Sequence, residues 1–453
     1  MRLLLTSLLF ALAAPASAQT LADTLGGCLG NPPLRTIPAD PSNYRTLLAG
    51  LQPGDRLLLA AGVYGQGLPF QGQNGTPGSC ITVEGAESGP RAVFTARPCC
   101  NTISIRDSSY LALRHLEVDG SASPDVDGVK AEGDASFAHH ITLDDLYVHD
   151  HDADQQIVGI STKCPAWNWV IRRTIVRGAG TGLYLGNSDG SAEFVNGLVE
   201  HNLVYDTIGY NMQIKHQNGR PSTALGAPAS ATTLVRHNVF SKASGGGTGA
   251  NARPNLLLGH WPLTGPGSSD VYQVYGNVFH QNPTEALFQG TGQLAFYANL
   301  LLNDAGDAAN FQAHEGGSTR NVEVFHNTIV ASGVGLRVIG LDPGAYLRRV
   351  RANAAFAATP FSLAAGVAAA DNVSDARASA ATYLGNPDAP LGAGLSFFPR
   401  AGQLSGAPAD LSGLSAFLDW DRDFNYLPFA AAFRGAYSGQ GANPGWTPAL
   451  ERK

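Results

Sequence analysis

Charge is scarce in this chain. Only 14% of its 453 residues are Asp, Glu, Lys or Arg, and the net charge is −7. It has no Lys/Arg run and no basic arm, so the electrostatic footprint of a nucleic-acid binder is missing. Methionine occurs twice and lysine five times. Long apolar runs are absent beyond the first residues, where Arg2 precedes the run Leu3–Ala14 and then Ala16-Ser17-Ala18. That run is too short to span a bilayer. Its charged start, apolar centre and small residues before Gln19 read as a secretory signal peptide over residues 1–18. A secreted, periplasmic or extracellular monomer with no membrane contact is expected. Cysteine is limited to Cys28, Cys80, Cys99, Cys100 and Cys164, and these spacings match no zinc-ligand pattern. In a secreted chain the first four should staple the N-terminal region, and the odd count leaves at least one thiol over.

Glycine is abundant, at 54 residues. It punctuates a pattern that recurs about eight times between residues 127 and 340. Seven segments read Asp127-Gly-Val-Lys-Ala-Glu132, Gly159-Ile-Ser-Thr-Lys163, Gly182-Leu-Tyr-Leu-Gly-Asn187, Asn211-Met-Gln-Ile-Lys-His216, Asn255-Leu-Leu-Leu-Gly-His260, Glu285-Ala-Leu-Phe-Gln289 and Asn310-Phe-Gln-Ala-His-Glu315. Gly335-Leu-Arg-Val-Ile339 is a weaker eighth. A second strand precedes each, often opening with Asn, as at Asn202, Asn238, Asn277, Asn299 and Asn327. Repeats of this kind are coils of a solenoid, stacked so that like positions form ladders. The ladder Asn residues fit internal turns better than catalysis.

The fold expected is all-β: a parallel β-helix over residues 19–355, including an N-terminal cap. The last irregular coils and a C-terminal cap take residues 356–453. Asp40-Pro41 reads as a helix start, with Tyr44, Leu47, Leu48 and Leu51 on one apolar face and Pro53-Gly54 as the stop. That helix would cover the open end of the solenoid. Strands are expected at Arg56–Ala60, Ile81–Glu84, Ala92–Thr95, Thr102–Arg106 and Leu111–Val118.

Aligning the eight segments gives two inward, apolar columns, Val129 to Leu336 and Ala131 to Val338, as period-2 strands on a shared core require. The outward columns carry the chemistry. One runs Lys130, Ser161, Tyr184, Gln213, Leu257, Leu287, Gln312, Arg337. The other runs Glu132, Lys163, Gly186, Lys215, Gly259, Gln289, His314, Ile339, with Asn187, His216, His260 and Glu315 just beyond. Coils stack at roughly 4.8 Å, which puts Lys163 and Lys215 about 10 Å apart across a side-chain-free notch at Gly186. Two cations, a phenol and imidazoles around a notch suit an anionic sugar. β-Elimination on a uronate glycan needs a cation to neutralise the C6 carboxylate, a base for the C5 proton and an acid for the leaving C4 oxygen. Lys163 is the base candidate, its pKa lowered by burial and neighbouring cations. Lys215 is its cationic partner, and Tyr184 or His216 the proton donor. Lys130, Asn187, Gln213, His260, Gln289, His314 and Glu315 are candidate substrate-binding residues.

Gly54-Asp-Arg-Leu-Leu-Leu-Ala-Ala-Gly-Val-Tyr64 and Asn74-Gly-Thr-Pro-Gly-Ser-Cys-Ile-Thr-Val-Glu-Gly85 resemble the opening coils of secreted right-handed parallel β-helix enzymes, the pectate-lyase-like group. The resemblance covers residues 40–355 and implies that fold. Lys163-Cys164 and Ile214-Lys215-His216-Gln-Asn-Gly219 resemble motifs of the alginate lyase and chondroitinase B family. There a Lys base works with an Arg in a Leu-Arg-His-Gly motif on the next coil. The resemblance implies Lys163 as base, Lys215 in place of the Arg and His216 as the motif's His. Two departures stand out. Gly186 holds the place one coil after Lys163, and Gln156 and Val158 stand where that family has a calcium-binding Glu-x-Glu pair.

Calcium has other candidate ligands in Asp119, Asp125, Asp127, Asp144, Asp145, Asp150, Asp152 and Asp154, if stacked turns bring Asp125 or Asp127 near Asp150–Asp154. Asp419-x-Asp421-x-Asp423 has the spacing that opens a calcium loop, but Phe424 stands where Gly is needed. Two alternatives to a lyase remain. A polygalacturonase-like hydrolase would use paired Asp. Asp125-Val-Asp127-Gly128, Gln213-Ile-Lys215 and Gly259-His260 resemble its motifs, in the wrong order. A non-catalytic glycan-binding or surface β-helix would show aromatic platforms.

Overall fold

The computed structural model describes residues 21–22, 25–28 and 32–453. The signal-peptide reading at 1–18 lies outside the described residues. The chain winds into a right-handed parallel β-helix whose coils each contribute strands to three stacked parallel sheets. The first sheet runs from Arg35–Ala39 to Ala368–Ala370, through strands such as Ser108–Arg114, Leu198–Glu200 and Val271–Tyr275. The second includes Leu116–Asp119, Tyr147–His151, Ile175–Ala179 and Leu203–Thr207. The third carries the repeat segments and begins earlier than the repeat suggests, at Leu68–Gln71 and Ile103–Arg106. Inward side chains from all three form one continuous apolar core.

The corner between the first and second sheets explains one departure from expectation. Residues 111–118 do not form a single strand. Ser108–Arg114 ends at His115, which turns with φ of 56°, and Leu116–Asp119 starts the next face. The same left-handed turn recurs at Asp145, Arg173, His201 and His237. Glycine is the usual sign of such a turn, and none of these five positions carries one. From the sixth coil on, an Asn follows the turn. Asn202, Asn238, Asn277, Asn299, Asn327, Asn353 and Asn372 form an internal ladder in which each side chain's Oδ1 accepts from the backbone N–H of the Asn one coil back. Thr174 holds the place before Asn202, and its N–H donates to that residue's Oδ1.

The N-terminal helix is shorter than expected. It spans Tyr44–Leu48 with Asn43 as N-cap. Asp40 instead closes the preceding turn, its Oδ1 accepting from Ser42 N–H at 2.8 Å. The apolar face is as expected: Tyr44, Leu48 and Leu51 are buried against the first coils. Cys28 pairs with Cys80, and the adjacent Cys99 and Cys100 pair with each other. Cys164 is left free and buried, and burial pushes its thiol up to about 12.

Residues beyond 380 fold back along the outside. Phe397, Phe398, Phe424 and Tyr437 pack on Val278, Leu300 and Val330 of the second sheet. Leu414, Phe417 and Trp420 pack on Tyr275, Tyr297 and Phe325 of the first. The outer face of the first sheet carries a ladder of alternating sign, one residue per coil: Glu84, Arg114, Asp144, Arg172, Glu200, Arg236. It continues as a stack of rings, Tyr275, Tyr297 and Phe325, nearly parallel at 4.7 and 4.5 Å.

Candidate functional site

The register of the third sheet sets which side chains meet. Lys130 pairs with Ser161, Ser161 with Tyr184, Tyr184 with Gln213 and Gln213 with Leu257, as the repeat alignment expects. The next coil does not follow it. Leu257 pairs with Gln289, not Leu287, and Gln289 pairs with Asn310, which pairs with Arg337. The alignment was off by two residues there, so Gln289 belongs in the first outward column. Thr291 and Gln312 follow Gly259 in the second column. A two-residue slip keeps each side chain on its face. The cause is the run Ala286-Leu287-Phe288: all three are buried, so alternation offers no mark of phase.

Lys163 and Tyr184 form the centre. The Lys163 Nζ sits 3.6 Å from the centroid of the Tyr184 ring. No carboxylate among the described residues lies within 4.0 Å of it. Burial pulls its pKa down to about 8; Asp127 opposes this, while Lys130 and Lys215 add to it. Burial also pushes the Tyr184 phenol up to about 12, with Tyr210 next in effect. An amine that is partly neutral near pH 8 thus lies against a phenol that stays protonated.

Gly186 does not open a notch. It is buried, at φ of 95°, and a Cβ there would come within 3.0 Å of the Ala192 carbonyl and 3.3 Å of Lys215 Cβ. The positive φ starts a turn, residues 187–191, that folds back over the next coil. Asn187 serves this turn: its Oδ1 accepts from Ser188 N–H at 3.0 Å and its Nδ2 donates to Ser191 Oγ at 3.1 Å. His216 lies beneath it, against Gly190.

Lys215 is buried along its stem, and its Nζ lies 3.4 Å from Glu315 Oε1. Glu315 sits in a tight turn, with His314 and Gly317 exchanging both backbone hydrogen bonds. Glu315 itself has φ of 50°. His260 braces this turn from below, its Nε2 3.1 Å from the Glu315 carbonyl and its Nδ1 3.0 Å from the Trp261 carbonyl. The His216 and His260 rings are 5.3 Å apart, and His314 Nε2 is 3.9 Å from Glu315 Oε1. Burial, Lys215 and His260 all lower the pKa of His216. Burial lowers that of His314, against the pull of Glu315.

Lys163, Tyr184, Lys215, His216, His260, His314 and Glu315 therefore form one cluster. Lys130 stands beside it, ion-paired to Asp127 at 3.5 Å and Glu132 at 3.2 Å. Gln213 is in the right column but fully buried, and Gln289 lies two coils away from it. Sequence reasoning missed Tyr210, which adds to the upward shift of the Tyr184 phenol and whose ring carries the Arg253 guanidinium at 5.9 Å. It sits outside the repeat, two residues before Met212, where column alignment has no reach.

The acidic turns stack, Ala153 N–H donating to the Pro124 carbonyl at 3.1 Å, but among the described residues Asp125 and Asp127 do not join Asp150–Asp154 in a group with metal-ligand spacing. Asp127 Oδ1 accepts from Val158 N–H at 2.9 Å, and its Oδ2 faces Lys130 and Ser161. Among the described residues the group with metal-ligand spacing is Asp119, His149 and Asp150, on the second sheet, its ligand atoms all within 4.8 Å of one another. The Asp419–Asp423 run is not a calcium loop. Asp423 caps the backbone N–H groups of Asn425, Leu427 and Ser438, and Asp419 accepts from Tyr275 and Tyr426.

No protein-family model matches the chain, and no curated protein does. Solved structures do. A lacto-N-biosidase from Eubacterium ramulus is similar over 76% of this chain and 68% of its own, with TM-score 0.50 and 14% identity. An alginate lyase from Paenibacillus sp. str. FPU-7 is 16% identical over 76% of this chain and 99% of its own, with TM-score 0.40. The pectate lyase Pel9A is 13% identical over 91% of this chain and 98% of its own, with TM-score 0.47. At such identities the likeness concerns the fold, and one fold carries many chemistries. No helix among the described residues is long and apolar enough to cross a membrane.

Proposed function

We propose that the protein is a secreted polysaccharide lyase that cleaves a uronate-containing glycan by β-elimination on the third sheet. The observation that carries this reading is Lys163: a largely desolvated amine with no carboxylate partner, its pKa lowered to about 8, lying on the ring of a protonated tyrosine. Lys215 binds the C6 carboxylate and stabilises the charge that develops as the C5 proton leaves. Neutral Lys163 takes that proton. Tyr184, protonated across the working range, gives its proton to the departing C4 oxygen. An anionic chain would have to displace Glu315 from Lys215, which makes the cluster responsive to a carboxylate ligand.

Hydrolysis is the weaker reading. It needs two carboxylates facing one bond, and Asp127 is engaged by Val158, Lys130 and Ser161. The test is incubation of the mature protein with a panel of uronate polysaccharides while following the absorbance of the unsaturated product. Lys163→Ala, Lys215→Ala and Tyr184→Phe run beside it. A signal abolished by Lys163→Ala supports the reading. New reducing ends without absorbance would sink it in favour of hydrolysis. Silence on every glycan would favour a binding protein.

A further inference from the structure

A large cavity lies away from the lysine ladder. It lies on the outer face of the first sheet, beneath the C-terminal segment, with a volume of about 860 Å³. That is within the range of about 300–1,000 Å³ typical of small-molecule sites, which pair apolar walls with a few placed polar groups.

Two of its rings are fixed by their polar edges. Tyr426 is 41% exposed, and its hydroxyl donates to Asp419 Oδ1 at 2.8 Å. The edge of His237 meets it at 6.1 Å between centroids. Trp446 donates from Nε1 to Glu451 Oε1 at 3.0 Å. Arg422 lies over the Tyr426 ring at 5.8 Å from its centroid and Phe424 is 6.2 Å from Trp446 between centroids, so both rings are held in place and lose little freedom on binding.

The cations of this cavity are already matched. Arg236 is bound by Glu200 Oε2 at 2.8 Å and by Asp419 Oδ2 at 3.3 Å. Lys453 Nζ donates to the carbonyls of Phe424 and Gly276 at 2.8 and 3.0 Å, and it lies 3.4 Å from the Phe424 ring centroid. Burial holds its amine well below the usual lysine range. A uronate carboxylate would therefore find no free counter-charge here, in contrast to the ladder. A purely apolar ligand fits no better, because it would cut polar side chains of the lining, Thr232, Gln273 and Asn425 among them, off from water. Sugar rings without charge satisfy both demands. Their C–H faces stack on aromatic rings, and their hydroxyls supply donors and acceptors at the edges.

We infer that this cavity is a second binding site, distinct from the lysine ladder, and that it takes a short stretch of uncharged glycan stacked on Tyr426 and Trp446. The inference stands whether or not the ladder is a lyase centre. Calorimetric titration of the mature protein with cellohexaose, maltohexaose, xylohexaose and mannohexaose tests it. At least one should bind. Tyr426→Ala and Trp446→Ala should each weaken that binding at least tenfold, and Lys163→Ala should leave it unchanged. Tyr426 is exposed enough that its variant should fold, which a thermal melt checks; it carries the test if Trp446→Ala does not fold. Four silent titrations would overturn the inference. So would binding that survives Tyr426→Ala, or binding lost in Lys163→Ala. Leu21 lines the same cavity. If the N-terminal segment is its occupant, all four titrations will be silent.

Discussion

Lys215 and Glu315 are 100 residues apart in sequence and 3.4 Å apart in space. Lys215 follows the Met212–Ile214 strand, and Glu315 follows a strand three coils further on. The turn at 314–317 leans back over Gly292 and His260 to make the contact, and a Cβ at Gly317 would overlap the His260 ring. Lys215 is chiefly responsible for holding the Glu315 carboxyl below its usual range. In the proposed mechanism Glu315 competes with the substrate carboxylate. Glu315→Gln should therefore lower KM and leave kcat nearly unchanged. The carboxylate is 44% exposed, so the pair is worth up to about 1 kcal/mol, or a KM lower by up to about fivefold. Initial rates at low ionic strength would show it. A KM that rises instead would make Glu315 a binding residue.

Lys163 sets the pH dependence. Its neutral form is the base, so kcat/KM should rise through about pH 8 and then level off, because Tyr184 keeps its proton up to about 12. Lys163→Ala should lower kcat by about 10²–10⁴. The same shift affects stability. Burial lowers the folded pKa below the unfolded value of 10.5, so between about pH 8 and 10.5 the unfolded chain binds more protons. Stability therefore gains from this group as pH rises through that window, and below about pH 8 the cost of the buried cation is constant. Lys163→Met should remove that pH-dependent part. Melting curves of both proteins between pH 7 and 10 compare them directly.

The coil architecture was legible because inward apolar residues recur at fixed places, and Lys163, Tyr184 and Lys215 came with it. Register was lost where both faces are apolar, at Ala286-Leu287-Phe288. The burial of Gly186 was not legible either, since a glycine reads the same whether it opens space or starts a turn. The reach of Glu315 to Lys215 depends on how a loop leans, and no column records that. The second-sheet corners hid for a related reason: His115 and His201 adopt a backbone conformation that sequence rules reserve for Gly.

Asp119, His149 and Asp150 place mixed donors around one point, with His149 Nδ1 2.8 Å from Asp150 Oδ2 and 3.9 Å from Asp119 Oδ1. An imidazole among the ligands suits zinc or manganese better than calcium, which prefers an all-oxygen set. Micromolar Zn²⁺ or Mn²⁺ should raise Tm, and His149→Ala should abolish the rise. Calcium at the same concentration should do little. A calcium effect that persists in His149→Ala would place any calcium ion elsewhere.

The Asn ladder should show position-dependent cost. Asn277 is fully buried, and its side chain links two coils at once. Its Oδ1 accepts from the Asn238 backbone N–H and side chain at 2.9 and 3.0 Å. Its Nδ2 donates to the Val235 carbonyl at 2.9 Å and to Asn299 Oδ1 at 3.0 Å. Asn277→Leu leaves the buried Asn238 backbone N–H unsatisfied and takes one hydrogen bond each from the Asn238 side-chain amide, the Val235 carbonyl and Asn299 Oδ1. At about 1–3 kcal/mol for each such group, even partial relaxation leaves a loss of about 3–5 kcal/mol. Asn372 closes the ladder: it accepts from Asn353 and donates to the Val350 carbonyl, but it is only half-buried. Asn372→Leu should cost less than half as much, because water reaches the groups it abandons. Denaturant titration of the two variants measures the difference. Equal losses would mean that the ladder stabilises through the unfolding of whole coils, and not through the hydrogen bonds of each Asn.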